Sequence, residues 1–111
     1  MDNMIEVIKN SIMDIDNLEK LIEKVWEYYV IGDFTNANKE INEIFDRLER
    51  LLVSLEKINS NLEKNINITS VLQIFKNIEI AMRNSDYVYV SDLILYELKP
   101  VAISWKEQIL E

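Results

Sequence analysis

The most restrictive feature of the sequence is a heptad pattern between residues 34 and 62. Every a and d position in this stretch is apolar, and the set comprises Phe34, Ala37, Ile41, Ile44, Leu48, Leu51, Leu55, Ile58 and Leu62. A helix with this pattern is roughly 40 Å long and is not stable in water with its apolar stripe exposed. The stripe must face other helices, so the sequence predicts a helical bundle.

Three further segments have helical periodicity. The first has eight apolar residues and one serine at heptad positions: Met1, Met4, Ile8, Ser11, Ile15, Leu18, Ile22, Val25 and Tyr29. The third segment has Ile68, Val71, Phe75, Ile78 and Met82 at the same spacing, after Asn67 or Thr69 as a possible N-cap. We predict an all-α, up-down-up-down antiparallel four-helix bundle, with helices over about residues 3–30, 34–63, 69–83 and 87–110 of one domain, 1–111.

Two similar turns punctuate this pattern. Gly32 suits the left-handed position after a helix, and Asp33 suits the N-cap of the next one. A shift of 53 residues places Gly32-Asp33-Phe34 over Ser85-Asp86-Tyr87. This similarity has two possible explanations, an internal duplication of a helical hairpin or two unrelated hairpins that are capped in the same way. A break in the first helix is also open near residues 14–17, where Asp14, Asp16 and Asn17 occur.

The last predicted helix is apolar on more than one side, so it is either the most buried helix or the carrier of a second interface. Pro100 lies within it and lacks a backbone N–H, which predicts a kink and an unpaired Tyr96 carbonyl. The apolar residues that cannot share one stripe are Val88, Val90, Leu93, Ile94, Leu95, Leu98, Val101, Ile103 and Trp105.

Composition excludes several classes of function. The 111 residues contain no cysteine and no histidine, which removes the usual zinc, haem and iron–sulfur ligands and the commonest general base. We expect no cofactor and no metal. The net charge of −8 disfavours nucleic acid. No stretch is long and apolar enough for a membrane span, and the N-terminus lacks signal-peptide features, so we expect a cytoplasmic protein without membrane contact.

The predicted topology brings six aromatic residues to one end of the bundle, which we call the aromatic end: Trp26, Tyr28, Tyr29, Phe34, Tyr87 and Tyr89. Tyrosine and tryptophan are favoured at protein interfaces. Trp26, Tyr28 and Tyr89, together with Leu93 on the last helix, are therefore the candidate partner-binding residues. The alternative for Tyr29, Phe34 and Tyr87 is that they fill the end of the core.

Glu97 is the second candidate site. Heptad spacing from Tyr87 places it at an inward d position, where a carboxylate needs a partner. Arg83 is the first choice for a buried ion pair, with Arg47 or Arg50 as alternatives. Such a pair could fix the bundle register or support acid–base chemistry. A third alternative is that the helix rotates after Pro100 and leaves Glu97 in water.

Two resemblances bear on function. The segment Asp86–Pro100, DYVYVSDLILYELKP, resembles one that recurs in small helical proteins of clostridia and related low-GC Gram-positive bacteria, a group without an assigned activity. This resemblance implies no catalytic residues. In architecture, a small acidic bundle with an aromatic-rich end is also similar to flagellar export chaperones of the FliT kind.

These observations predict a non-enzymatic protein-interaction module. We expect it to self-associate as a homodimer through the last helix or the aromatic end, because surplus apolar surface usually finds a partner. The alternative is a small helical enzyme or ligand-binding bundle with an internal charged pocket, in which Glu97 and an arginine would converge.

Overall fold

The computed structural model describes residues 2–111, with side chains from residue 4 onward, and Met1 lies outside the described residues. Helix α1 covers Asp2–Val30, α2 covers Phe34–Leu62 and α3 covers Ser70–Arg83. Helix α4, residues 87–110, consists of an α-helical segment Tyr87–Asp92, a π-helical segment Leu93–Leu98 and an α-helical segment Lys99–Leu110. The described chain measures 46 × 22 × 19 Å and contains no strand. The predicted all-α four-helix bundle is confirmed.

The core follows the heptad positions of the two long helices. On α1 these positions are buried from Ser11 to Tyr29, and on α2 from Ala37 to Ile58. Helix α1 packs against α2 on one side and α4 on the other, while α3 packs against α4. The backbones of α2 and α3 make few close approaches. The long first hairpin is thus joined to α3 mainly through α4.

Helix α1 is continuous through Asp14, Asp16 and Asn17, so the possible break does not occur. The Nζ of Lys106 on α4 donates to the Asp16 carboxylate over 2.7 Å, and Lys99 lies 3.7 Å from Glu23 on the same helix pair. Both pairs are partly exposed and contribute at most about 1 kcal/mol each. Burial of the apolar stripe, rather than these ion pairs, holds α1 against α4.

The turns after α1 and α3 have the same backbone hydrogen bonds, displaced by 53 residues. Asp33 N–H donates to the Tyr28 carbonyl over 2.8 Å, and Asp86 N–H donates to the Ala81 carbonyl over 2.8 Å. This six-to-one bond defines a Schellman turn, whose left-handed position is Gly32 (φ 81°) in one turn and Ser85 (φ 53°) in the other. Each turn then ends on an aspartate whose side chain accepts from a backbone N–H three residues later.

These paired turns predict opposite effects of substitution. Ser85→Gly removes the cost of a left-handed serine, so the free energy of unfolding should rise by about 0.5–1 kcal/mol. Gly32→Ala should lower it by about 1 kcal/mol through backbone strain alone, because a Cβ at residue 32 would meet no atom within 4 Å. Urea unfolding of both variants measures the two changes. Equal signs would contradict the assignment of both positions to the same turn geometry.

The link between α2 and α3 is held by side-chain amides. The Asn59 side chain accepts from the Ile66 N–H over 2.9 Å and donates to the Ile66 carbonyl over 3.0 Å. Asn67 Oδ1 accepts from the Ser70 N–H over 3.3 Å, so Asn67 supplies the side-chain cap of α3 and Thr69 does not. The Asn67 carbonyl in turn accepts from Nε1 of the buried Trp105 over 2.9 Å. One asparagine thereby connects the start of α3 to α4.

Next to Pro100, where a kink is predicted, α4 contains a π-helical segment. The Lys99 N–H donates to the Ile94 carbonyl five residues back, so the segment holds one residue more than an α-helical turn would. The register change ends beside Pro100, which has no N–H to donate. Val90, Ile94, Leu98 and Ala102 are all fully buried despite their constant spacing of four residues. In a regular α-helix, Ala102 would lie roughly 120° around the helix axis from Val90. The one extra residue of the π-helical segment reduces this angle to roughly 20°.

This geometry makes deletion of Glu97 a test of the π-helical segment. Deletion would leave the buried residues of α4 in unbroken heptad spacing, so we expect the segment to become α-helical and the free energy of unfolding to change by less than about 1.5 kcal/mol. Deletion of the exposed Asp46 is the control, because it rotates four buried α2 residues by roughly 100° and should abolish cooperative unfolding. The measurement is thermal unfolding by circular dichroism. Equal damage from the two deletions would refute the register argument.

Candidate partner-binding surface

Three side chains of the aromatic end form a contiguous group, which we call the ring cluster. The ring centroids of Phe34 and Tyr87 are 4.7 Å apart, those of Tyr29 and Tyr87 are 5.8 Å apart, and those of Tyr29 and Phe34 are 6.3 Å apart. The three residues come from the end of α1 and the starts of α2 and α4. These contacts confirm that the two Schellman turns lie at the same end of the bundle. Tyr29 is buried, as the core-filling alternative expected, whereas Phe34 remains 43% exposed.

The two tyrosines of the ring cluster have pKa values shifted in opposite directions. The hydroxyl of Tyr29 donates to Oδ1 of Asn38 on α2 over 2.8 Å. Burial, reinforced by the nearby Tyr87, raises the pKa of Tyr29 to about 12. Hydrogen bonds with Ser85 and with Asn38 lower the pKa of Tyr87. The two phenols therefore ionise in a fixed order, Tyr87 before Tyr29.

This order predicts a pH dependence of stability. A tyrosine in the unfolded chain ionises near pH 10, whereas folded Tyr29 keeps its proton up to about pH 12. Between these two pH values the unfolded state binds fewer protons than the folded state, so the free energy of unfolding falls as the pH rises. Tyr87 acts in the opposite sense and at lower pH, because its pKa is lowered in the folded state. Urea unfolding at a series of pH values measures the slope. Tyr29→Phe should flatten the fall, whereas Tyr96→Phe at an exposed position should leave it unchanged.

Exposed apolar side chains lie next to the ring-cluster residues in the sequence, and we call them the apolar rim. Ile31 is 74% exposed and Val88 is 75% exposed, and each lies within three residues of a ring-cluster residue. Tyr89 is 44% exposed and Val30 is also exposed. The rim comprises Val30, Ile31, Val88 and Tyr89. Exposed apolar side chains at the end of a bundle are typical of a surface that binds another protein.

The candidate partner-binding residues are not equally accessible. Tyr89 is exposed, as the partner-binding hypothesis requires. Trp26 and Tyr28 are half-buried and pack against the core, and both contribute to a surface depression of about 280 Å³ at the end of α1. Leu93 is fully buried within the single chain, which corrects its assignment to a partner surface. Leu93 lies three residues after the buried Val90, so ordinary helical spacing places both side chains on the inward side of α4.

The expected buried ion pair is not formed. Glu97 is exposed, Arg83 is exposed, and the two do not pair in the described part of the chain. Arg47 instead pairs with Glu43 one turn away on α2, at 3.3 Å. The physical reason is the extra residue of the π-helical segment, because Leu98 takes the inward position that constant α-helical rotation assigned to Glu97. Glu97 turns away from the core within the π-helical segment, before Pro100, and its carboxylate is exposed to water. The alternative of a helix that rotates only after Pro100 places this change too late in the chain.

The described residues hold no group of three or more side chains placed to bind a metal ion. Between residues 2 and 111, no helix combines the length and the apolarity needed to cross a membrane. Sequence reasoning did not include Ile31 among the partner-binding residues, and it named Val88 only as part of the apolar surplus of the last helix. The available signal for Ile31 was a large aliphatic side chain directly before the turn at Gly32.

The fold and this surface define the class of protein, a small all-α bundle that presents apolar side chains at one end. A family model described as a domain of unknown function (DUF8042) matches residues 6–108, so the chain belongs to that family. No curated protein and no solved structure matches the chain.

Proposed function

We propose that the protein is a non-enzymatic interaction module that forms a homodimer through its aromatic end. The observation that carries the proposal is the exposure of Ile31 and Val88 beside the ring cluster. Burying a side chain of this size contributes roughly 1.5–3 kcal/mol. In a two-fold dimer each such residue is buried twice, so a small rim can supply a substantial part of the association energy.

The charges at the aromatic end are compatible with contact between two copies. The carboxylates of Asp33 and Asp86 accept hydrogen bonds from the backbone N–H groups of Asn36 and Tyr89 at the starts of α2 and α4. These bonds hold both carboxylates at helix N-termini, and the C-termini of α1 and α3 at the same end balance the dipoles of α2 and α4. Association of two copies at this end therefore depends on burial of the apolar side chains and not on electrostatic attraction.

The architectural resemblance to flagellar export chaperones of the FliT kind supports a partner-binding role in the same general sense. We expect this role to be exercised in the cytoplasm, without a cofactor and without contact with nucleic acid or membrane. The route to a dimer through α4 alone has less support, because Leu93 is enclosed by its own chain.

Sedimentation velocity over a concentration series tests the homodimer. The wild-type chain should show a concentration-dependent dimer, and the double variant Ile31→Asp, Val88→Asp should weaken it at least about tenfold because charged groups would be buried unpaired. Helical content should be unchanged, since both positions are exposed.

The matched control is Val53→Asp with Leu110→Asp, which adds the same charge at exposed apolar positions on α2 and α4. The control should dimerise like the wild type. A monomer at every concentration, or equal weakening by both double variants, would exclude the aromatic end as a dimer interface.

The competing hypothesis, a small enzyme or ligand-binding bundle, required Glu97 and an arginine to face an internal pocket. Glu97 is exposed, and neither it nor an arginine lines the surface depressions described for this chain. No specific observation favours this second function, so the proposal rests on interaction alone.

A further inference from the structure

A second surface, separate from the aromatic end, lies between α2 and α3. We define the α2–α3 groove by Phe45, Glu49, Phe75 and Glu79, which line an open depression of about 250 Å³. The rings of Phe45 and Phe75 meet edge to face, with centroids 5.7 Å apart and an interplanar angle of 70°. Both residues are half-buried, so the rings form an apolar floor that remains accessible from outside.

The floor extends along both helices. Leu52 lies one heptad after Phe45, and Met82 lies one heptad after Phe75; both are half-buried and pack on the core. The backbones of α2 and α3 stay apart along this line, because bulky side chains fill the space between them. Helix α3 has 14 residues and is therefore roughly 21 Å long. The groove thus matches another helix of about the same length.

Carboxylates form the rim of the groove. Glu49 and Glu79 are exposed, and Glu56 follows Glu49 at heptad spacing and is also exposed. None of these three takes part in an ion pair in the described part of the chain. Arg47 and Arg50 are two and one residues from Glu49, a spacing that places them on other faces of α2. On α3, Lys76 and Arg83 lie three and four residues from Glu79 and offset part of its charge. Glu49 and Glu56 have no basic residue three or four positions away, so the net negative charge of the rim lies along α2.

We propose that the α2–α3 groove binds a basic amphipathic helix from another protein. The apolar face of that helix would cover Phe45 and Phe75, and lysine or arginine side chains flanking it would pair with Glu49 and Glu79. A second copy of this chain does not fit, because a two-fold contact through the groove would place carboxylates opposite carboxylates. An anionic membrane surface is disfavoured by the same charges.

Fluorescence anisotropy with a labelled model peptide tests this proposal. The probe is a 14-residue peptide of leucine and lysine with its leucines on one helical face, and the control peptide has the same composition with leucines spread around the helix. The first peptide should bind at least about tenfold more tightly than the second.

Two double variants with the same change of charge locate the binding. Glu49→Lys with Glu79→Lys should weaken binding of the first peptide at least about tenfold, whereas Glu6→Lys with Glu107→Lys, at exposed positions on α1 and α4, should change it less than about threefold. Equal loss in both variants would show attraction by net charge alone and would overturn the proposal. Absence of binding by the wild-type chain, or equal binding of the two peptides, would also overturn it.

Chemical-shift mapping on the wild-type chain gives an independent location. The largest amide shifts on adding the first peptide should fall on the stretches 45–52 and 75–82. Largest shifts at the aromatic end would overturn the groove as the site. The Ile31→Asp, Val88→Asp variant should bind the peptide like the wild-type chain, so failure of the homodimer and failure of the groove are distinguishable.

Discussion

The structure depends on keeping one apolar stripe of each helix turned inward over its whole length. Helices α1 and α2 meet this requirement with regular heptads, and their inward positions are buried from Ser11 to Tyr29 and from Ala37 to Ile58. Because a regular α-helix has 3.6 residues per turn, side chains spaced by four residues drift steadily around its axis. Helix α4 uses that spacing at Val90, Ile94, Leu98 and Ala102, and it remains inward-facing only because the π-helical segment absorbs one residue. The packing of α4 against both α1 and α3 follows from this adjustment.

Much of the fold was predictable because the signals that define it are local. The heptads located α1 to α3, and Gly32 with Asp33 located the first turn, since glycine and aspartate have distinct backbone and capping preferences. The second turn was less evident, because Ser85 adopts a left-handed conformation that its residue type disfavours. The π-helical segment was not predicted, because heptad spacing assumes a constant rotation of about 100° per residue and therefore continues unchanged through residues 93–98. Glu97, for which burial and exposure were both open, lies outside because the extra residue gives the inward position to Leu98. Leu93 was wrongly assigned to a partner surface because a helix that is apolar on several sides does not show which side faces the core.

The two candidate surfaces differ in how well the sequence predicts them. The aromatic end required only the topology, because the helix ends that meet there carry the aromatic residues. The α2–α3 groove depends on the distance between two helix backbones, and periodicity does not specify that distance. In the sequence, Phe45 flanks the apolar stripe of α2 and Phe75 belongs to the stripe of α3, which is also true of residues that close an interface completely. Only their contact geometry shows that the rings leave the groove open between Glu49 and Glu79.

The attachment of the α2–α3 link to α4 has a consequence for the order of folding. Trp105 donates to the Asn67 carbonyl across 38 residues of chain, and Lys64 Nζ donates to the Gln108 carbonyl across 44. The α1–α2 hairpin, in contrast, closes through a short turn and can assemble from near neighbours in the chain. These two hydrogen bonds of the link therefore form only when the end of α4 docks, whereas the Asn59–Ile66 bonds need α2 and the link alone. Docking of α4 thus couples the far end of the bundle to a link that is otherwise held by near neighbours in the chain.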